Sequence, residues 1–137
     1  MIKPIVKDKF LLSQKSSDAD KNDSAIIADL QDTLNAHKHE CVGMAANMIG
    51  SLKRIIIVND ELRTVVMINP VIVWESPETY DAEEGCLCHE GTRPVKRHES
   101  IEVEFALVGM KRFRKKFTGF TAQIIQHEID HLNGVLI

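Results

Sequence analysis

The segment Gln126–Gly134, QHEIDHLNG, carries the spacing His127-Glu128-x-x-His131, in which two histidines one helical turn apart flank a carboxylate. That spacing brings the imidazoles together only on a helix. The surrounding periodicity predicts one from about Gly119 to Asn133, stopped by Gly134. At about 100° per residue the two histidines stand roughly 40° apart. Phe120 and Ile124 fall on the same side, and Ile125, Ile129 and Leu132 on the opposite one. A helix apolar on two opposite faces is enclosed by protein, so both histidines are expected to point into an interior. Buried imidazoles need partners for their ring nitrogens, and one metal ion satisfies both.

Catalytic sites of this kind use three protein ligands and keep a fourth position for water. Beyond His131 the chain offers Leu132-Asn133-Gly134-Val135-Leu136-Ile137, in which Asn133 is the single polar side chain and a poor ligand. The third ligand is therefore expected upstream. Glu83-Glu84-Gly85-Cys86-Leu87-Cys88-His89 packs two thiols, one imidazole and two carboxylates into a short stretch. Residue chemistry leaves Cys86, Cys88, His89 and Glu84 all open as that ligand. A thiolate is attractive, because a metal keeps it deprotonated and two imidazoles balance it.

The rest of the chain is consistent with one domain, residues 1–137, long enough to bury a core. Hydrophobic residues at 44% and charged residues at 27% are ordinary for a globular protein, and a net charge of −3 argues against nucleic-acid binding driven by overall charge. No apolar run approaches the ~20 residues needed to cross a bilayer. Met1-Ile2-Lys3-Pro4 does not open a signal peptide, so a cytoplasmic location is expected. Three cysteines then read as thiols or metal ligands.

Ile26, Ile27, Leu30 and Leu34 predict a helix capped by Asp23 or Ser24 and ending around His37 to Glu40. Strands are expected at Arg54–Val58, at Thr64–Ile68 after the turn Asn59-Asp60, and at Val71–Trp74 beyond an interruption at Asn69-Pro70. Ile101–Phe105 alternates as a strand with one wet face. Lys111–Phe117 reads as a solvated basic strand or hairpin face with Phe113 and Phe117 turned inward. These elements indicate an α+β fold, with short antiparallel sheets packed around the C-terminal helix that carries the metal motif.

Three stretches together resemble the peptide deformylase family. Its signature runs G-x-G-φ-A-A-x-Q, then E-G-C-φ-S, then Q-H-E-x-D-H-φ-x-G. The chain shows Cys41-Val42-Gly43-Met44-Ala45-Ala46-Asn47-Met48, then Glu84-Gly85-Cys86-Leu87-Cys88, then the whole third motif at Gln126–Gly134. The resemblance covers most of the chain from about Ser24 onward.

The resemblance implies that Cys86 joins His127 and His131 around one divalent ion, Fe2+ in the cell, with Zn2+, Ni2+ or Co2+ as substitutes. It implies removal of the N-formyl group from formyl-methionine at the amino termini of nascent polypeptides, by a metal-bound water that Glu128 activates. The Leu87 N–H would help stabilise the oxyanion, with Val42, Gly43, Glu84 and Gly85 placed for substrate binding. Implied partners are formyl-methionyl peptides, with transient proximity to the ribosome and no direct nucleic-acid or membrane contact. Met48 stands where the family has an oxyanion-donating Gln, and a thioether cannot donate. Losing one such donor typically costs about 10²–10³ in rate. Cys41 replaces a loop glycine and Cys88 a serine. The alternatives are a weak or inactive deformylase-like protein that binds metal or peptide, and a metallohydrolase of another amide.

Overall fold

The computed structural model describes residues 1–60 and 62–137. Helices α1 (Lys9–Leu12) and α2 (Ser24–Ala36) precede strands β1 (Gly43–Ala45), β2 (Ile55–Asn59), β3 (Thr64–Glu75), β4 (Thr79–Gly85), β5 (Thr92–His98), β6 (Ser100–Ala106) and β7 (Arg112–Thr118). Helix α3, Gly119–Leu132, follows. Five strands form one antiparallel sheet in the order β1-β2-β3-β6-β7, while β4 and β5 pair as a separate two-stranded hairpin. The α+β expectation, with antiparallel sheets around the C-terminal helix, describes this architecture.

Helix α3 packs against β1 and β2 and also touches β5, β6 and β7. Its Ala122, Ile125 and Leu132 are at most 1% exposed. Burying a large aliphatic side chain this completely contributes about 1.5–3 kcal/mol, so the apolar face anchors the helix in the core. The helix stops as the sequence predicts. Gly134 takes φ +76° and donates its N–H to His131 O at 3.0 Å, while the Val135 N–H reaches Asp130 O at 2.9 Å. This paired closure satisfies carbonyls that a helix end otherwise strands. Ser16 N–H adds a bond to Leu132 O at 2.9 Å, so the loop after α1 closes over the same end.

Several local expectations need correction. The run broken at Asn69-Pro70 is one strand, β3, with a register shift between Ile68 and Val71. Asn69 adopts φ +50° and its side-chain amide bonds both the N–H and the carbonyl of Ala19, at 2.8 and 3.0 Å. The apparent interruption is thus a bulge on which the polar N-terminal loop docks, and it lets β3 pair with β2 along its first half and β6 along its second. Helix α2 begins at Ser24, yet Asp23 makes no side-chain cap to it. Its carboxylate instead accepts the Asp20 N–H at 2.9 Å in the preceding 3-10 turn.

On β7 Phe117 is buried but Phe113 is 40% exposed, so the basic strand turns one phenylalanine inward rather than two. Lys111 covers the Phe113 ring at 5.6 Å, Lys116 covers Trp74 at 5.2 Å, and Arg114 bonds Glu102 at 2.7 Å. The cations of this edge strand are largely occupied within the fold. Among the described residues no helix is long and apolar enough to cross a membrane.

Gly134 offers a direct check on how α3 is held. A Cβ there would run into the Ser13 carbonyl, besides facing an unfavourable φ. Gly134→Ala is expected to cost about 2 kcal/mol or more, read as a lower urea midpoint with unchanged slope. An unchanged midpoint would mean that the helix end does not depend on this contact.

Candidate metal centre

His127 and His131 project from one face of α3, and Cys86 arrives from the end of β4. Their donor atoms lie within 4.8 Å of one another. Cys86 Sγ is 3.3 Å from His131 Nε2, which is 3.1 Å from His127 Nε2. The rings meet edge to face, 4.8 Å between centroids. Of the four upstream candidates, the fold thus brings Cys86 to the histidines. Cys88 is buried two residues further on, and His89 lies along the cleft wall.

Two ring nitrogens 3.1 Å apart cannot both carry protons directed at each other. Three lone pairs facing one point are instead what a cation requires, and a sulfur with two imidazole nitrogens suits a borderline divalent ion. The electrostatics agree. The neighbouring Cys88, with His127 and His131, holds the Cys86 thiol far below its ordinary range despite burial. Burial works to lower His127, but hydrogen bonds to Cys86 and Glu84 outweigh it and raise the ring. The negative potential that favours a proton on His127 equally favours a cation between the three donors. The residues present therefore fit a bound divalent metal.

Behind His127 stands a buried polar relay. His127 Nδ1 donates to Glu84 Oε1 at 2.7 Å, which leaves Nε2 facing the cluster with its lone pair. Arg97, 5% exposed, forks onto Glu84 through Nη2 at 2.6 Å and Nε at 3.0 Å, and its Nη1 reaches Asp130 Oδ2 at 2.6 Å. Gln123 Nε2 adds a fourth bond to Glu84 at 3.0 Å, and Tyr80 Oη holds Gln123 at 2.9 Å. Burial pushes the Glu84 carboxyl up, but Arg97 and His127 overcome it and bring it down to about 2. Glu84 was expected among the substrate-binding groups. It lines the cleft, but both its oxygens are committed inside the protein, one of them to the His127 ring.

The cluster opens onto a cleft of about 440 Å³. Glu128 lines it, 4% exposed, with Oε1 unpartnered and its carboxyl raised by burial. Val42, Gly43 and Met48 contribute one wall, and Gly85 and Leu87 the hairpin wall. Phe120, expected to be enclosed with the histidines, is 61% exposed at the mouth, so the histidine face of α3 is open at its N-terminal end. Gly43 has an internal reason to be glycine: a Cβ would meet Ile124 Cγ2 at 2.7 Å and Glu128 Oε2 at 3.0 Å. Gly85 has no such neighbour closer than 3.8 Å, so its open side belongs to the cleft.

Met48, 1% exposed, turns its sulfur to accept the Ala45 N–H at 3.4 Å. Asn47, the neighbouring amide, donates to His131 O at 2.9 Å, so it secures the ligand helix. Cys41 donates to Gly43 O at 2.7 Å, and burial keeps its thiol up at about 12.

Sequence reasoning did not find Arg97, Asp130 or the bracing of Gln126, whose amide exchanges two hydrogen bonds with the His98 backbone at 2.9 and 3.0 Å. Arg97 sits in a charged strand, TRPVKRH, that reads as solvent-facing. The one available hint was Asp130 inside the closing motif, an acid on a helix otherwise enclosed.

Two outcomes follow from the relay. Arg97→Leu leaves the buried Glu84 carboxylate without its cation and is expected to lose about 3–5 kcal/mol in denaturant unfolding; a loss below about 1 kcal/mol contradicts the relay. A carboxyl lowered on folding contributes stability above its unfolded value, near 4.5, that disappears as pH falls towards about 2. Between those limits the metal-free protein should lose stability more steeply than Glu84→Gln, and parallel profiles would refute the assignment.

The polypeptide deformylase family model matches residues 2–137. The peptide deformylase of Clostridium beijerinckii is 51% identical over 137 residues, covering 100% of both chains. That of Thermotoga neapolitana is 33% identical, across 93% of this chain and 79% of the relative. Among solved structures, the Met-Ala-Ser-bound class I type b peptide deformylase from Acinetobacter baumannii superposes with a TM-score of 0.91 at 30% identity, covering 99% of this chain and 96% of that one. The actinonin-bound form of the same enzyme gives 0.89 at 31% identity, covering 99% and 95%. Sequence and fold agree along the whole described chain, which belongs to the peptide deformylase family.

Proposed function

We propose that this chain is a metal-dependent hydrolase that removes the N-formyl group from formyl-methionine at the amino termini of nascent polypeptides, releasing formate and a free amine. The observation that carries this reading is the convergence of Cys86, His127 and His131 within 4.8 Å beside the unpartnered Glu128 carboxylate. Family membership supports the reaction, and the Met-Ala-Ser-bound form of the Acinetobacter baumannii enzyme supports a peptide occupant. Cys86, His127 and His131 would hold one divalent ion, Fe2+ in the cell with Zn2+, Ni2+ or Co2+ as substitutes, which when bound supplies Lewis acidity to a water and to the formyl oxygen.

The remaining steps fall to the chain's own groups. Glu128 takes a proton from the attacking water and delivers it to the departing amine. Burial raises its carboxyl above the ordinary carboxylate range, which favours its holding the proton between the two halves of that transfer. The Leu87 N–H, one residue past Cys86, donates to the oxyanion as the formyl carbon becomes tetrahedral. Val42, Gly43 and Gly85 leave the two walls open for an extended peptide backbone. Glu84 holds the His127 ring so that its Nε2 stays aimed at the ligand position. The activity belongs in the cytoplasm, in transient proximity to the ribosome, with no direct nucleic-acid or membrane contact.

Met48 favours a second reading, in which the chain binds metal and peptide with little turnover. Its thioether accepts from Ala45 and has no proton to give the oxyanion.

Two variants separate these readings. Under anaerobic iron loading, Glu128→Ala should lower formate release from formyl-Met peptides at least about 100-fold at unchanged metal content. Equal release by both proteins would end the hydrolase reading. Met48→Gln should raise the rate at least about tenfold by restoring a donor. An unchanged rate would place the missing donor elsewhere, and native release no higher than that of Glu128→Ala would favour the binding protein.

A further inference from the structure

His127 and His131 enter the donor cluster alike, each through Nε2, but the far sides of their rings differ. His127 gives its Nδ1 proton to Glu84 Oε1 at 2.7 Å. His131 is fully buried, and its Nδ1 has no hydrogen-bond partner among the described residues. A neutral imidazole whose Nε2 lone pair serves a metal carries its proton on Nδ1. A donor buried in this way calls for an acceptor.

Asn47 offers one. It is fully buried, and its Nδ2 donates to the backbone O of His131 at 2.9 Å. A carbonyl only accepts, so this bond decides which end of the amide is nitrogen. Oδ1 is left as a buried acceptor, also without a partner among the described residues. An unmatched donor and an unmatched acceptor thus belong to two residues that one bond already joins. Asn47 is held from its own side as well. It lies in the 3-10 turn Ala46–Ile49, where its carbonyl accepts the Gly50 N–H at 3.1 Å and that of Met48 accepts the Val6 N–H at 2.8 Å. Ser16 is the rival acceptor, because its Oγ is buried and unpartnered too. Ser16 reaches this end of α3 through its backbone N–H, on Leu132 O at 2.9 Å, whereas the Asn47 side chain is bonded to His131 itself.

We propose that Asn47 is a positioning residue for His131: its Nδ2 holds the ligand's backbone, and its Oδ1 accepts the ligand's Nδ1 proton, directly or across one water, when Nε2 holds a metal. Asn47 then does for the second imidazole what Glu84 does for the first. The amide is fixed by its Nδ2 bond, so Oδ1 rewards one ring orientation. A flip of the imidazole, or a shift of its proton to Nε2, forfeits that acceptor. The two supports differ in charge. The Glu84 carboxylate makes His127 more basic as well as orienting it, while a neutral amide orients His131 and adds no charge to the interior. The inference rests on the proposed site of Cys86, His127 and His131 and not on the reaction carried out there.

The test measures zinc affinity of the full-length protein by competition with a chromogenic chelator, and the imidazole N–H signals of the zinc-loaded protein by heteronuclear NMR. Asn47→Leu, close to asparagine in shape and without polar atoms, is expected to weaken zinc binding about 10–100-fold. It should also lose or shift the His131 Nδ1–H signal while that of His127 persists. Ser16→Ala should match the native protein in both. A lower urea midpoint for Asn47→Leu, with zinc affinity and the His131 signal unchanged, would mean that Asn47 only packs the helix, and overturns the inference. An effect of Ser16→Ala as large as that of Asn47→Leu overturns it too. If Asn47→Leu does not fold, a crystal structure of the native zinc-loaded protein decides: Oδ1 joined to His131 Nδ1, directly or through one water, upholds the inference, and Nδ1 on any other protein group overturns it. Native protein that binds zinc without dependence on Asn47 overturns this inference alone, whereas native protein that binds no zinc overturns the metal site and the inference with it.

Discussion

The fork of Arg97 onto Glu84 and Asp130 is the contact on which the metal cluster depends. The β4–β5 hairpin is not hydrogen-bonded into the five-stranded sheet, so something else must set its distance from α3. Arg97 comes from β5, Glu84 from β4 and Asp130 from α3, and the three are joined by bonds of 2.6–3.0 Å. Glu84 then passes the constraint to His127, while Gln126 bonds the β5 backbone one residue away. Cys86 follows Glu84 by two residues. Fixing Glu84 therefore fixes the sulfur and the imidazole together. Buried ion pairs of this kind are poor sources of net stability, because desolvation offsets most of the attraction. Their value here is positional, since a donor cluster must be built to within a fraction of an ångström.

This division explains what could be read from the sequence. His127, Glu128 and His131 were legible because a helix repeats locally, and one segment contains both the spacing and the faces. Residue chemistry left Cys86 as one of four, and only the family resemblance singled it out, because its distance from α3 is set by tertiary bonds that leave no local pattern. Arg97 left no trace, since an arginine on an alternating charged strand looks the same whether it meets water or a buried carboxylate. The Asn69-Pro70 bulge was misread as a break for a related reason. Its purpose lies with Ala19, about fifty residues earlier in the chain. Glu84 was placed with substrate by the family resemblance, while its oxygens are taken up by Arg97, Gln123 and His127.

The three departures from the family signature share one region, and they differ in consequence. Cys41 takes over a loop position by donating to Gly43, whose missing Cβ lets β1 lie against Glu128. Met48 fills its position with a buried acceptor and bears on rate. Cys88 is buried in the turn two residues beyond the proposed ligand Cys86. None of them falls within the α3 motif, where spacing, burial and hydrogen bonding agree.

The central claim is that one sulfur and two imidazole nitrogens of this chain hold one metal ion. X-ray absorption at the zinc edge of stoichiometrically loaded protein tests it most directly. The account predicts a single sulfur scatterer at about 2.3 Å with two imidazole nitrogens at about 2.0–2.1 Å, and loss of the sulfur shell in Cys86→Ala. Two sulfur scatterers, which would bring Cys88 into the set, or a shell of nitrogen and oxygen alone, would contradict it.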